Sequence, residues 1–411
     1  MNSRPRAPIW LMGLTNAGFG MYGGIVVISM PQLLSARHVP EGTIAAMTAV
    51  MISPGFWAFL ASPTLDVRFS RRWYSVATAL AGAAMLVCTM LNLDDLRLVE
   101  FFMVTGFFLA NLYQSALGGW LSSITPPESQ GRLSAWMTIG NLSGGGAMAV
   151  LTGELMRSKS PTLAALLLGC ALLLPLAVFP WMPAPGPDRR LARESFTQFM
   201  GEAVSLLKQR DVLLAMVMFV SPAAVFSLTN LLSGLGKDFQ ASTHFVGLVG
   251  GAGVFLGGIC GCMAYRFIDR RMPARLLYLA IGVVGALFTL TLLALARTPD
   301  AFAIALIGEN AFQALAFTAS TAITFETIGR GNPLAATTFC LMISASNVPL
   351  TYMLFADGWG YARFGVAGSL LVDAGLSLLA AGALFLYLVR SGRLRPRAPS
   401  MSSVAAARAP S

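Results

Sequence analysis

If this chain does chemistry, carboxylates must do it. It holds only two histidines, His38 and His244, both in stretches that read as loops. Its five cysteines (Cys88, Cys170, Cys260, Cys262, Cys340) all fall inside apolar runs. No cysteine pair has zinc-ligand spacing with a histidine beside it, and Cys260-x-Cys262 reads as two small packing thiols. No G-x-x-x-x-G-K-[ST] loop occurs to cradle a nucleotide phosphate. No cofactor, no metal and no enzymatic activity are therefore expected. Most of the 18 acids lie in polar stretches, but Glu309 and Asp373 do not. Each lies nine residues into an apolar run, about 13 Å deep at 1.5 Å per residue. A charge at the centre of a bilayer costs roughly 2.5–3.5 kcal/mol, so an acid there is a candidate for function. Glu309 and Asp373 are the proton-coupling candidates.

Polar residues accompany Glu309. Asn310 and Gln313 adjoin it, and Ser320 and Thr324 continue roughly the same helical face. A second stripe runs through Thr337, Cys340, Ser344, Asn347 and Thr351 at steps of three and four. Asn16, Tyr22, Asn111, Gln114, Asn141 and Asn230 lie in further apolar runs. Any one of these serves helix-to-helix hydrogen bonding. Their recurrence on several helices predicts a shared polar cavity. The substrate and cavity candidates are Asn16, Tyr22, Asn111, Gln114, Asn141, Asn230, Asn310, Gln313 and Asn347.

The elements that must position these groups are transmembrane helices. Of 411 residues, 56% are hydrophobic and only 11% are charged, against roughly 25% in soluble domains. The net charge of +10 is scattered in short clusters and does not form the basic face of a nucleic-acid binder. A spanning helix needs about 20 mostly apolar residues. Twelve runs qualify: 9–34, 42–62, 73–93, 98–124, 131–156, 161–182, 212–235, 243–265, 275–296, 300–325, 333–356 and 364–389. The first is far longer than the ~7–15 apolar residues of a secretory signal and reads as a retained span. With the N-terminus inside, inner segments carry 21 of the 28 lysines and arginines. That bias predicts both termini in the cytoplasm. The fold class expected is an all-α membrane protein of twelve helices.

Charge returns in a repeated loop. Asp66-Val-Arg68-Phe-Ser-Arg-Arg72 follows the second run, and Asp269-Arg-Arg271-Met-Pro-Ala-Arg275 follows the eighth. The acid and the bases two and six residues on all match at an offset of 203 residues, which also maps Gly55 onto Gly258. The chain thus divides into an N-terminal six-helix bundle (1–182), a linker (183–211), a C-terminal six-helix bundle (212–390) and a cytoplasmic tail (391–411). The linker offers a capping box, Ser195-Phe-Thr-Gln198, before Phe196, Phe199, Ala203 and Leu206 at helical spacing. That pattern predicts a short amphipathic helix. The tail is rich in Arg, Pro, Ala and Ser and is expected to be disordered.

Acid-plus-arginine loops after spans 2 and 8 of a 6+6 chain resemble those of the major facilitator superfamily of secondary transporters. The resemblance implies two pseudo-symmetric bundles, with spans 1, 4, 7 and 10 lining a central cavity and span 12 peripheral. It also implies that Asp66, Arg68, Arg72, Asp269, Arg271 and Arg275 form a cytoplasmic latch. There an aspartate pairs with arginines or a helix end across the interface when the transporter faces outward. Ser62 stands where the family loop usually begins with glycine.

Within the superfamily, several stretches are similar to AmpG-type muropeptide permeases and acetyl-CoA transporters. They are Phe56-Trp57-Ala58 leading to Ser62-Pro63-Thr-Leu-Asp66, then Pro127-Glu128-Ser-Gln-Gly131, Glu309-Asn310, and Asn332-Pro333 before Ala336-Thr337-Thr338-Phe339. The two span-4 acids often seen in that group are replaced here by Gln114-Ser-Ala116-Leu-Gly118. The expectation is a monomeric secondary transporter in a bacterial-type inner membrane. It would import a polar solute, muropeptide-like or siderophore-like, with protons as the coupling ion. Drug or metabolite efflux is the alternative, and a membrane sensor or intramembrane enzyme ranks below both. Its partners are the solute, protons and the bilayer, with no nucleic acid.

Overall fold

The computed structural model describes residues 7–67, 69–184, 201, 204–206, 208–232, 234–269, 272–329 and 332–391. No strand occurs among them. Arg68, Arg271, the predicted linker helix at Ser195 and the tail beyond Ser391 lie outside the described residues.

Among the described residues, nine helical segments are long and apolar enough to cross a membrane. They supply span 1 (Ile9–Ser35), span 2 (Gly42–Leu60), span 3 (Arg71–Leu91), span 4 (Leu96–Ile124) and span 6 (Pro161–Trp181). Span 8 (His244–Ile268), span 9 (Ala274–Ala294) and span 10 (Pro299–Ile328) follow, and Ala335–Arg390 closes the series. That last segment is two helices. Gly365 interrupts it at φ 62° and ψ −153°, a conformation open to glycine and costly for other residues. Span 11 ends and span 12 begins there. Span 5 (Pro127–Ser158) is one unbroken helix, more polar than its neighbours. Span 7 is short helical pieces, Arg210–Val220, Pro222–Ala224 and Leu228–Leu232. The pattern is consistent with twelve crossings.

Local sequence explains the helix starts. The side chains of Ser70, Asp95, Ser160, Ser242 and Thr298 each accept a backbone N–H from the first turn of spans 3, 4, 6, 8 and 10, satisfying donors that a helix start leaves orphaned. Glycine lets spans 1 and 5 touch backbone to backbone. A Cβ on Gly20 would lie 1.9 Å from the Asn141 carbonyl oxygen, and one on Gly24 would lie 2.3 Å from that of Gly145. Small residues at such contacts are how helices associate where lipid offers no hydrophobic drive.

Buried apolar side chains form one cluster drawn only from residues 22–172 and two drawn only from residues 212–388. Another bridges them, with Trp120 and Phe179 packed near Phe325 and Phe339. Large apolar side chains also line the outside: Val150 is 75% exposed, Phe355 78% and Leu379 73%. Acyl chains, not water, suit that surface.

Candidate functional site

Two constellations collect the polar chemistry. The first lies where the loop after span 2 meets the start of span 11. Leu65 and Asp66 end a short 3₁₀ turn and are buried. The Asp66 carboxylate accepts four hydrogen bonds. Arg71 Nε donates to Oδ1 at 2.7 Å, and the Ala336 N–H to the same oxygen at 3.2 Å. The Thr337 N–H and hydroxyl both donate to Oδ2, each at 2.8 Å. Arg71 Nη2 donates in turn to the carbonyls of Asn332 and Pro333, at 3.1 and 2.8 Å. A carboxylate thus caps the positive end of span 11 while its own arginine holds the carbonyls just before it. Burial pushes the Asp66 carboxyl above its ordinary range, and Arg71 and Thr337 pull the other way.

Asp66 meets a helix end across the two bundles, and of the matching arginines the two that lie among the described residues have other neighbours. Arg72 lies over the Trp120 ring, 5.9 Å from its centroid. Arg275 pairs with Asp211 at 3.6 Å. Asp269 instead lies against Gly131 in the first turn of span 5, where a Cβ would fall 2.0 Å from its Oδ2. A cavity of about 580 Å³ opens beside it, between the start of span 5, Ala322 and Glu326.

The second constellation is buried among spans 7, 9, 10, 11 and 12. Glu309 is fully buried, as is Asp357, and Asp373 is 2% exposed. The Thr289 hydroxyl donates to Glu309 Oε1 at 2.5 Å, while Oε2 has no hydrogen-bond partner. The Ser227 hydroxyl is within hydrogen-bond reach of both Asp357 Oδ2 and Asp373 Oδ1, the latter at 3.2 Å. Asp357 Oδ1 has no partner. Asp357 and Asp373 are close enough to Glu309 to act on it electrostatically, and among the described residues no lysine or arginine is. Among the described residues, then, three carboxyls share one buried region with two hydroxyls and no counter-charge.

The amino-acid sequence of residues 12–233 matches the model of the Major Facilitator Superfamily. The chain belongs to that superfamily. This superfamily chain resembles several solved transporters. The human organic anion transporter MFSD10 (TETRAN) aligns at 14% identity over 92% of this chain and 98% of its own, with a TM-score of 0.69. The proton:xylose symporter XylE aligns at 13% identity over 92% and 95%, with a TM-score of 0.70. FucP, a superfamily transporter in the outward conformation, aligns at 16% over 92% and 98%, with a TM-score of 0.67. At such identities the likeness is one of fold. No curated protein sequence matches the chain significantly. The family makes it a multi-pass membrane transporter of small solutes rather than an enzyme.

In this superfamily chain the predicted cavity residues scatter. Asn16 Nδ2 donates to the Met137 carbonyl, tying span 1 to span 5. Tyr22 is buried in the N-terminal cluster. Asn111 and Asn310 donate to carbonyls of their own helices, Phe107 and Leu306. Gln114 is buried with its Oε1 unpartnered, Asn141 is half-buried and Asn230 is exposed. Asn347 Nδ2 donates to the Gly55 carbonyl, so the span-11 stripe faces span 2. Gln313 pins the broken part of span 7, donating to the Phe226 carbonyl at 3.1 Å and to Thr229 Oγ1 at 3.0 Å.

Span 12 was expected to be peripheral, yet its Asp373 is held by span 7. The sequence reading missed Ser227, Thr289 and Asp357. Ser227 had no signal apart from following Pro222. Asp357 had one: it is the acid of a Phe-Ala-Asp-Gly-Trp stretch that is apolar on both sides.

Proposed function

We propose that this chain is a proton-coupled secondary transporter that imports a polar organic solute by alternating access. Two six-helix halves, 1–182 and 212–390, rock about the centre of a bacterial-type inner membrane, with both termini cytoplasmic. The AmpG-like stretches support a muropeptide-like or siderophore-like cargo. The observation that carries the proposal is Glu309, fully buried with one carboxyl oxygen unpartnered and, among the described residues, no basic residue beside it. A carboxyl so placed keeps its proton while the region is dry and can exchange it when water or cargo enters. The Asp66–span 11 and Asp269–span 5 contacts hold the halves together on one side, as an outward-facing state requires. XylE, a proton:xylose symporter of the same fold, is in keeping with this reading.

The test is uptake into proteoliposomes carrying a pH-sensitive dye, with a panel of glycopeptides, siderophores, sugars and peptides. At least one solute should accumulate when the outside is made acidic, with the lumen acidifying in step. Glu309→Gln should still be stabilised against heat by that solute but should not concentrate it. Uptake that ignores the imposed gradient, or full accumulation by Glu309→Gln, refutes the proposal.

A further inference from the structure

Ser227 sits where no straight helix would place it. The first piece of span 7 ends at Val220, and Ser221 is extended, at φ −74° and ψ 155°. Pro222 has no N–H to continue the ladder, and Phe226 takes a left-handed φ of 54°. Four helices grip this broken stretch. The Tyr352 hydroxyl of span 11 donates to the Val220 carbonyl at 2.6 Å, and Gln313 of span 10 donates to that of Phe226. The Phe226 ring stacks on Phe312, 5.7 Å between centroids, and lies over Gly285 of span 9, where a Cβ would come within 2.2 Å of it. The last grip is Ser227 itself, on Asp357 and Asp373.

Those two acids come from opposite limbs of one hairpin. Asp357 is eight residues before Gly365 and Asp373 eight residues after it, so each lies about 12 Å from the tip at 1.5 Å per residue. They arrive at one level and flank one hydroxyl. A hydroxyl has one hydrogen and two lone pairs. It can donate to one carboxylate, but a second carboxyl at hydrogen-bond distance must bring its own hydrogen. The unpartnered Asp357 Oδ1 and Glu309 Oε2, both in fully buried side chains, leave the region without any donor to spare. Among the described residues, the titratable groups facing the pair from spans 7, 9 and 10 reduce to Glu309, and no lysine or arginine acts on any of the three.

We propose that Asp357 and Asp373 share one proton through the Ser227 hydroxyl, and that this proton holds span 7 in its bent form. The site extends the proton-coupled reading above and rests on it. With the proton bound, the order is carboxylate, hydroxyl, carboxylic acid, and the three groups cohere. When it leaves for water on the open side, two carboxylates face a single hydrogen. One carboxylate then loses its bond to Ser227, and the outer piece of span 7 is freed to move. Glu309 is a neighbour of this site, not a member.

The test is pH-dependent infrared difference spectroscopy on the purified full chain in lipid, following the C=O stretch of buried carboxylic acids. Once the Glu309 band has been assigned by its loss in Glu309→Gln, a shared proton gives one further band that is lost in both Asp357→Asn and Asp373→Asn. Two independent acids would give two bands, each substitution removing its own, and that result overturns the proposal. Should an asparagine variant fail to fold, Ser227→Ala decides: it should move the titration midpoint by about one pH unit or more. An unmoved midpoint overturns the sharing.

Spin labels on Asn230→Cys and Gly153→Cys, with the native cysteines changed to alanine, test the link to span 7. Their separation should change with the same midpoint as the band. A separation constant across that pH range refutes the link. Solute uptake distinguishes the two readings. No shared band with gradient-driven uptake intact sinks this site alone. A shared band with uptake blind to the gradient sinks the proton-coupled function and leaves the site standing.

Discussion

Replacing Asp66 by asparagine removes one charge from the contact between the halves and leaves shape almost unchanged. The amide has one acceptor oxygen where the carboxylate has two. If that oxygen faces Arg71 and the Ala336 N–H, the Thr337 N–H and hydroxyl lose their acceptor. If it faces Thr337, Arg71 Nε meets an NH₂ group instead. Either way two of four bonds go, in a pocket where Asp66 is 5% exposed. Hydrogen bonds to a charged partner contribute about 1.5–3 kcal/mol each. They share partners here, so the pair is worth about 3 kcal/mol, not the sum of the extremes. At about 1.4 kcal/mol per decade, the ratio of closed to open forms of this contact should fall roughly hundredfold.

The chain carries its own reporter for this. Cys340 lies one helical turn deeper in span 11 than Thr337 and is 3% exposed. With the other four cysteines replaced by alanine, a membrane-impermeant maleimide should reach it only when the halves part. In inside-out vesicles, Asp66→Asn should react about a hundred times faster than the parent. Equal rates would show that Asp66 does not hold the halves together, and the latch reading would fall.

Three further outcomes follow from the same contacts. Arg71→Lys keeps the charge but loses the planar fork that reaches Asp66 and two carbonyls at once, so Cys340 labelling should rise by about tenfold, less than in Asp66→Asn. Gly131→Ala places a methyl where the Asp269 carboxylate lies; it should speed labelling while leaving the melting temperature of the detergent-solubilised protein within a few degrees. Gly20→Ala forces spans 1 and 5 apart and should destabilise by about 1–3 kcal/mol, read as a lower melting temperature with no change in the pH response of the infrared band.

Membrane crossings were legible because lipid imposes them. A run of apolar residues about as long as the bilayer is thick has few other fates. Glu309 was legible for the same reason, since its depth follows from its distance to the end of a run. The repeated Asp66 and Asp269 were legible by comparing the chain with itself. Which arginine serves Asp66 was not. Ser70 caps span 3 and so fixes the rotation at which Arg71, not Arg72, faces the carboxylate. Asp357 was hidden by an assumed loop at 357–363. Span 11 runs on as helix until Gly365, and an acid read as exposed becomes interior. Ser227 was hidden by a break within an apparently continuous run, because a proline and one left-handed residue reset the helical phase that periodicity assumes. The polar stripes were visible, but not their partners. Asn16, Asn111 and Asn347 spend their amides on backbone carbonyls, and nothing in local sequence says which carbonyl a distant helix will present.

Gly365 leaves spans 11 and 12 no slack at the turn that joins them. Gly360 and Gly368 press together just below it, each lacking the Cβ that would strike the other's carbonyl. The hairpin is therefore a stiff fork whose two tines, with Asp357 on one and Asp373 on the other, must travel as a unit. A device with its jaws fixed relative to each other cannot grip or let go by closing; only the object between them can slip free. In this molecule that object is a segment of span 7, so an intermediate caught between outward and inward states should display an unchanged fork and a displaced seventh helix.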